Sequence, residues 1–337
     1  RAVPAPPRLP PPTRGGCGAF PPPPAAAIAA TSLSSSMRPV SESHAIAMQT
    51  PRAAASEDLR HTHCVVTGAS SGIGLEVARG LAARGCTVTL RCRDLTRCAR
   101  ARDDILGGQS LPGRCDCSLV DLSDADSIQA FAVAVRASLR PEQRVLLVNN
   151  AGVMGAPVEA GADGHLWPNH YGHFLLTRLL LPAMPPGSRI VVVASRAHFQ
   201  GAVRVGSDGA IDPSWGGGHW YLRYARSKLC NVLFAAELRR RLSVAGVDVF
   251  AVSPGRVGTG IFRRVQGPAG GLLDWIAQHF FLRPVDGADA VLHAALVADP
   301  AEGLYWHRSR PQQPSRAARD PDLAAEGWDA SERLGAL

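Results

Sequence analysis

The feature that most constrains the fold is a glycine-rich loop between a predicted strand and a predicted helix. The β-branched run Thr62–Thr67 predicts a short strand, and apolar residues at helical spacing over 75–83 predict the helix. The loop between them, Gly68–Gly74, reads GASSGIG. Its glycines allow a tight turn and a close approach to a pyrophosphate, which the helix N-terminus attracts. The chain is therefore expected to form a parallel α/β sheet that binds a dinucleotide.

Further strands and helices alternate along the chain. Strands are predicted at Thr87–Leu90, Arg114–Val120, Val145–Val148, Arg189–Val193 and Val247–Val252. Helices are predicted from Ser123, as the cap, to Leu139, from Asn169 through Leu181, around Tyr224–Leu238, and near 285–297. This alternation predicts a three-layer, doubly wound parallel sheet in one domain over residues 61–337. Residues 256–283 favour a mobile lid or an ordinary buried helix equally, and a basic irregular tail is expected after 297.

Residues 1–60 differ in composition from the rest of the chain. They contain the proline runs Pro10–Pro12 and Pro21–Pro24, and no acidic residue precedes Glu42. Such a segment cannot bury a core, so we expect it to be disordered. Its serine and arginine content resembles an organelle transit peptide, although initiation at Met37 or Met48 is an equal alternative. The protein is expected to be intracellular: in a plastid or mitochondrion with a transit peptide, otherwise cytoplasmic.

Composition argues against several classes of function. The net charge is +8, but the arginines are scattered, which favours a solvated surface over a nucleic-acid site. No apolar run reaches the roughly 18 residues of a spanning helix, while peripheral membrane contact and oligomer formation remain open. The eight cysteines lack metal-ligand spacing and are interpreted as reduced thiols, with no metal expected.

A second constraint comes from the stretch Trp220–Lys228. On a helix, Tyr224 and Lys228 lie one turn apart on the same face. A neighbouring ammonium favours phenolate, so we expect Lys228 to lower the pKa of Tyr224. Taken alone, the pair could equally be a chance surface arrangement. The glycine loop earlier in the chain favours a proton-transfer role.

The residues after the second predicted strand bear on cofactor choice. They read Arg91-Cys92-Arg93-Asp94. An acidic residue here binds the adenosine ribose hydroxyls, whereas a basic one accepts a 2′-phosphate. Arg93 can pair bidentately with phosphate, and Asp94 is the opposing signal. The sequence therefore predicts a preference for NADP(H), with NAD(H) as the alternative.

Four motifs in order now identify a resemblance. They are Thr67–Gly74 as TGxxxGxG, Asn149–Gly152 as NNAG, Tyr224–Lys228 as YxxxK, and Pro254-Gly255. With them the chain resembles the short-chain dehydrogenase/reductase family from about residue 62 to near the C-terminus. The segments Asn169–Phe174, Ser227–Leu238 and Trp328–Leu334 resemble its retinol dehydrogenase-like branch. That branch implies a single-domain Rossmann fold and hydrophobic alcohols or carbonyls as substrates.

The resemblance also implies the site residues. The catalytic tetrad of the family corresponds to Asn169, Ser195, Tyr224 and Lys228. The cofactor would be bound by Gly68, Ser70, Ser71, Gly72, Ile73, Gly74, Arg93, Asp121, Leu122, Asn149, Ala151, Gly152, Tyr224, Lys228, Pro254, Gly255, Val257 and Thr259. Pro168 stands where the branch has valine or another non-proline residue.

The implied mechanism gives each tetrad residue a role. Tyr224 is the acid in reduction and the base in oxidation, and Lys228 supports it and holds the nicotinamide ribose. Ser195 donates a hydrogen bond to the carbonyl oxygen, and Asn169 organises water behind Lys228. These roles predict an oxidoreductase of a hydrophobic alcohol and its ketone or aldehyde, for example a retinoid or steroid-like compound. The alternative is a cofactor-binding regulatory or scaffolding protein with little turnover.

Overall fold

The computed structural model describes residues 59–107, 111–140, 142–156, 158–159, 162–216, 218–258, 261, 279 and 281–335. The predicted extension, apart from its last two residues, lies outside this part of the chain. So do Thr259 and most of the segment 256–283, for which a lid or a buried helix was predicted.

Within the described residues, eight strands form one sheet. They are β1 (Thr62–Thr67), β2 (Thr87–Cys92), β3 (Arg114–Leu119), β4 (Arg144–Asn149), β5 (Arg189–Val193), β6 (Asp248–Ser253), β7 (Tyr305–His307) and β8 (Arg310–Pro311). Their order is β8-β7-β6-β5-β4-β1-β2-β3, parallel throughout except that β8 is antiparallel to β7. The order reverses between β1 and β4, and open sheets of this kind bind ligands at the carboxyl ends of the strands beside such a reversal.

Seven α-helices in the described residues cover the two faces of the sheet. They are α1 (Gly72–Ala82), α2 (Leu95–Leu106), α3 (Ala125–Ser138), α4 (Gly172–Leu180), α5 (Trp220–Arg241), α6 (Pro284–Leu296) and α7 (Pro321–Gly335). Successive residues of β1 face opposite cores: Val65 packs with α3, α4, α5 and α7, and Val66 with α1, α2 and α6. This alternation follows from the two-residue repeat of a strand. The predicted three-layer, doubly wound fold is confirmed.

Four elements were not predicted from the sequence: α2, β7, β8 and α7. Helix α2 buries Cys98, Ala101 and Ile105, which recur at helical spacing, so its pattern was present in the sequence. The irregular tail predicted after residue 297 is wrong, because this region contains β7, β8 and α7. Helix α7 is held by Trp328, whose ring centroid lies 4.9 Å from that of Phe174 on α4.

The predicted cap of α3 is also corrected. Asp124, rather than Ser123, is the N-cap, and its carboxylate accepts from the backbone N–H groups of Asp126 and Ser127. Ser123 instead donates its own N–H to the carboxylate of Asp121 at 2.9 Å. Separately, none of the helices in the described part of the chain combines the length and apolarity needed to cross a bilayer.

Candidate active site

The glycine loop leaves the N-terminus of α1 open. Ser71 is the N-cap, but its side chain makes no capping hydrogen bond. Gly68 and Gly72 have φ values of +67° and +60°, a region that other residues rarely adopt. A Cβ on Gly74 would lie 2.5 Å from the carbonyl oxygen of Gly68. The uncapped helix end and the closely folded backbone fit the pyrophosphate of a dinucleotide.

Thr67 joins the glycine loop to the end of β4. Its hydroxyl accepts from the backbone N–H groups of Asn150 at 2.8 Å and Ala151 at 2.9 Å. The Asn150 amide donates to the Thr67 carbonyl at 2.7 Å. Neither Thr67 nor Asn150 was assigned to the site, although both lie in quoted motifs. By contrast, Asn149 is buried and donates to the hydroxyl of Thr177 at 2.9 Å, so its side chain ties β4 to α4.

The end of β2 presents one acidic and one basic side chain. Arg93 is exposed, and no hydrogen bond or ion pair within the described part of the chain engages its guanidinium. Asp94 is the N-cap of α2, and its carboxylate accepts from the N–H of Arg97 at 3.1 Å. After β3, the strand paired with β2, Asp121 is exposed and Leu122 is buried. The carboxylate that opposed an NADP(H) preference therefore serves to cap a helix.

Arg91 is a buried cation that sequence reasoning missed. Its side chain is 1% exposed, and the guanidinium carbon lies 3.0 Å from the ring centroid of Phe131 on α3. None of its three guanidinium nitrogens has a hydrogen-bond partner among the described residues. Burial lowers the pKa of Arg91 to about 8. No sequence pattern distinguishes this arginine from the exposed Arg93 two residues later.

Asn169 lies in a π-helical turn, Trp167–Tyr171, which contains Pro168 and leads into α4. The Asn169 side chain is fully buried. Its Oδ1 accepts from the N–H of Val153 at 2.7 Å, and its Nδ2 donates at 3.0 Å to both the Val153 carbonyl and the Ser227 hydroxyl. The π-helical turn thus accommodates Pro168, and three hydrogen bonds fix the side-chain amide of Asn169. Single π-helical turns are frequent at functional sites.

His173 connects Asn169 to the glycine loop. Its Nδ1 lies 3.2 Å from the carbonyl oxygen of Asn169, and its Nε2 lies 2.9 Å from the hydroxyl of Thr67. Burial lowers the pKa of His173 to about 3, so the ring is neutral near pH 7. We assign the proton to Nδ1, which donates to Asn169, and Nε2 then accepts from Thr67. These contacts give His173 a structural role between the glycine loop and Asn169.

Helix α5 brings Tyr224 and Lys228 to the carboxyl end of β5. Both side chains are buried, and Lys228 Nζ lies 5.7 Å from the ring centroid of Tyr224. The hydroxyl of Ser195, which follows β5, lies near the Tyr224 phenol. Lys228 Nζ donates to the carbonyl of Val193 at 2.9 Å. Three of the four predicted catalytic side chains therefore share one cleft.

Gly152 lies between Lys228 and the fourth predicted catalytic residue, Asn169. A Cβ built on this residue would lie 3.5 Å from both Asn169 Oδ1 and Lys228 Nζ. Both atoms thus border the same space above the end of β4.

The expected effect of Lys228 on Tyr224 is corrected by the structure. Burial raises the pKa of Tyr224 to about 12, and the nearby Ser195 hydroxyl acts in the opposite direction. Burial also lowers the pKa of Lys228 to about 8. The prediction of a lowered Tyr224 pKa is wrong here, because burial removes the hydration that stabilises the charged phenolate.

The residues after β6 border the same edge of the sheet. Pro254 is buried, and Gly255 has a φ of +101°. Val257 forms a parallel bridge with Leu282. A Cβ on Gly287 of α6 would lie 2.7 Å from Cγ2 of Val257 and 3.2 Å from Cγ1 of Ile73 in the glycine loop. The predicted nicotinamide and pyrophosphate residues are therefore neighbours.

Apolar side chains flank the phenol. Tyr224 packs in a small cluster with Met154 and Ala197, and Trp220 and Ile261 lie against it. This surface suits an apolar substrate. Within the described ranges, no group of His, Cys, Asp and Glu is placed to hold a metal ion.

Comparison with known proteins gives a consistent result. The family model for short chain dehydrogenases matches residues 62–210. Human retinol dehydrogenase 11 is 37% identical over 281 residues, covering 79% of this chain and 83% of the human protein. Human dehydrogenase/reductase SDR family member 13 is 38% identical over 287 residues, covering 83% of this chain and 74% of that protein.

Solved structures show the same fold. An uncharacterized protein from Mycobacterium paratuberculosis is 31% identical, with a TM-score of 0.61, and the match covers 82% of this chain and 94% of that one. A metagenomic short-chain oxidoreductase in complex with NADP is 26% identical, with a TM-score of 0.53, covering 77% and 100%. Similarity over most of both chains places this protein in the short-chain dehydrogenase/reductase family, in its retinol dehydrogenase-like branch, as an NAD(P)-dependent oxidoreductase acting on CH–OH groups.

Proposed function

We propose that the protein interconverts a hydrophobic alcohol and its ketone or aldehyde, that it prefers NADP(H), and that Tyr224 is the acid and base. The observation that carries this proposal is the buried phenol of Tyr224, which lies near the Ser195 hydroxyl and beside Lys228 and is flanked by apolar side chains. The retinol dehydrogenases among its relatives support a retinoid or a compound of similar polarity.

The protein's own groups supply the proton and the orientation, while the nicotinamide supplies or accepts the hydride. A pKa of about 12 keeps the Tyr224 phenol protonated at neutral pH, as a proton donor in carbonyl reduction requires. With a pKa of about 8, Lys228 is mostly protonated at pH 7, so its charge is present when phenolate forms. The Ser195 hydroxyl, which lies near the phenol, would position the substrate oxygen.

Arg93 supports the NADP(H) preference. It is exposed at the end of β2, where the 2′-phosphate of such cofactors is bound, while the neighbouring Asp94 carboxylate caps α2. A charge-assisted hydrogen bond contributes about 1.5–3 kcal/mol, so Arg93→Ala should weaken NADPH binding roughly 10- to 100-fold and leave NADH binding unchanged.

The experiment measures NADPH and NADH binding by fluorescence, and turnover with a panel of retinal, steroid ketones and short aldehydes. Arg100→Ala is the matched control, because Arg100 is also exposed but lies farther along α2. Faster turnover of apolar carbonyls with NADPH is expected. Equal NADPH affinity in Arg93→Ala and Arg100→Ala would refute the cofactor preference. Tight cofactor binding without turnover of any carbonyl would instead indicate a regulatory or scaffolding protein.

A further inference from the structure

The hydroxyl of Ser195 is oriented by the short 3₁₀ turn that follows it. Ser195 caps the turn Arg196–Gln200, and its hydroxyl oxygen accepts from the backbone N–H of Ala197 at 3.2 Å. A serine hydroxyl that accepts one hydrogen bond still has its own proton to donate. The turn therefore fixes the hydroxyl oxygen and leaves the proton for another acceptor, as a role toward a substrate oxygen requires.

His198, in the same turn, holds the backbone of Ser195. The His198 side chain is fully buried. Its backbone N–H donates to the Ser195 carbonyl oxygen at 3.1 Å, and its ring Nδ1 lies 2.7 Å from the same oxygen. Two groups of one residue thus converge on the carbonyl of Ser195, and the mechanism described above gives His198 no role.

The other ring nitrogen of His198 contacts the C-terminal part of the chain. The backbone N–H of Ser315, between β8 and α7, lies 3.1 Å from Nε2. A backbone N–H can only donate, so Nε2 is the acceptor and carries no proton. We therefore assign the ring proton to Nδ1, which donates to the Ser195 carbonyl.

The surroundings of the ring favour this neutral form. Burial lowers the pKa of His198 below its ordinary value, so the ring is neutral near pH 7. A proton on Nε2 would place two N–H groups against each other, because Ser315 already donates there. The ring centroid also lies 4.8 Å from that of Tyr305 on β7, which is itself fully buried. The imidazole is thus fixed between Ser195, Ser315 and Tyr305.

We propose that His198 is a positioning residue: its neutral ring holds the Ser195 carbonyl and thereby directs the Ser195 hydroxyl toward the substrate oxygen. A donor aimed at developing negative charge is effective because it is oriented before the reaction. Without the ring, Ser195 keeps its hydroxyl, but one of the two hydrogen bonds to its carbonyl is lost. The inference rests on the role of Ser195 in the proposed function.

The same contacts connect the candidate site to the segment after β8. Ser315 is 9% exposed, and its hydroxyl accepts from the backbone N–H of Ala318 at 3.2 Å. The N–H that holds His198 therefore belongs to a turn that is itself fixed by a hydrogen bond. It follows that a segment remote in sequence from the four predicted catalytic residues contributes to the orientation of one of them.

The test is a double-mutant cycle on turnover of the best carbonyl substrate with NADPH. Removal of one donor to a developing oxyanion costs about 100- to 1,000-fold in kcat, which is expected for Ser195→Ala. His198→Ala should lower kcat roughly 10- to 30-fold, with KM and the NADPH Kd nearly unchanged. In the Ser195→Ala background, the further loss from His198→Ala should be less than about 2-fold, because no hydroxyl is left to direct.

Two isosteric variants separate the two hydrogen bonds of the ring. The amide nitrogen of an asparagine can replace Nδ1, and the amide oxygen of a glutamine can replace Nε2. His198→Asn should therefore recover most of the turnover, whereas His198→Gln should resemble His198→Ala. His293→Ala is the control for loss of a packed ring, since His293 lies 5.2 Å from Trp306 on the other face of β7. Its kcat should be unchanged.

An unchanged kcat in His198→Ala would overturn the proposal. So would an equal fold loss from His198→Ala in the presence and absence of the Ser195 hydroxyl, which a packing role predicts. Nitrogen-15 NMR of the histidine rings needs no turnover: the proposal requires the Nδ1–H tautomer of His198, and the Nε2–H tautomer would overturn it. A chain that turns over no carbonyl, or a fully active Ser195→Ala, would instead refute the proposed function.

Discussion

The two ends of the cofactor edge differ in how their buried polar groups are satisfied. At the catalytic end, the Asn169 amide makes three hydrogen bonds, and Lys228 Nζ donates to a strand carbonyl. At the adenosine end, the Arg91 guanidinium is buried with no hydrogen-bond partner in the described residues, and Arg93 projects into solvent. The chain itself therefore holds the catalytic groups in place, whereas in the described residues it gives these two guanidinium groups no hydrogen-bond partner.

This difference implies that buried polar groups at the two ends contribute differently to the free energy of unfolding. A saturated hydrogen-bond network loses free energy when one member is removed, because its partners remain buried. An unpaired buried charge destabilises the fold already, so its removal should stabilise it. Substitutions at the two ends are thus expected to change stability in opposite directions.

The largest effect is expected for Thr67→Val. The substitution leaves the N–H groups of Asn150 and Ala151 without their acceptor, at a cost of about 2–4 kcal/mol in the free energy of unfolding. Thr62→Val is the matched control on the same strand, because the buried Thr62 hydroxyl has no hydrogen-bond partner in the described residues. The free energy of unfolding of Thr62→Val, measured by urea denaturation, should be unchanged or slightly higher. Equal losses in the two variants would contradict the account.

The opposite sign is expected for Arg91→Met, with a gain of about 1–3 kcal/mol at pH 7. Burial lowers the Arg91 pKa to about 8 in the folded chain, well below its ordinary value, so above pH 8 the unfolded chain binds more protons. Arg91 therefore makes stability rise with pH above about 8, and the methionine variant should lack that rise. Denaturation between pH 7 and 9.5 measures it, with Arg100→Met as the exposed control. A loss of stability of Arg91→Met at pH 7 would show that the buried Arg91 charge is stabilised by its surroundings.

A smaller effect is expected for His173→Gln, because the substitution changes the orientation of Asn169 without removing a catalytic group. We expect kcat to fall roughly 10-fold, equivalent to about 1.4 kcal/mol, with the NADPH Kd nearly unchanged. His170→Gln is the control: this ring is buried next to His173 but bonds to Ser331 on α7. An equal fall in kcat for both variants would show that His173 contributes only to packing and does not position Asn169.

Sequence predicted the parts of the molecule that repeat a local pattern. Strand β5 was predicted with the bounds it has, because a continuous valine and isoleucine run has few alternatives in a parallel sheet. The glycine loop and the spacing of Tyr224 and Lys228 are also local patterns, and the candidate catalytic site was predicted from them. Helix α2 and the C-terminal α7 were not predicted although both are amphipathic in sequence; the structure shows that Cys98 in one and Trp328 in the other pack into the core.

The electrostatics of the site could not be predicted from the sequence. The burial of Arg91 and the desolvation of Tyr224 depend on what α3 and β5 place around them. The contact between His173 and Thr67 joins residues 106 positions apart. A motif specifies which residues meet, whereas the pKa of each depends on how much water the rest of the fold removes.

The central claim, that the Tyr224 phenol transfers the proton, is tested most directly by Tyr224→Phe against Tyr221→Phe. Both substitutions keep the ring and remove one hydroxyl on the same helix. Turnover of the best carbonyl substrate with NADPH should fall about 100- to 10,000-fold in Tyr224→Phe, with the NADPH Kd unchanged, and stay near normal in Tyr221→Phe. Near-normal turnover in Tyr224→Phe would contradict the account.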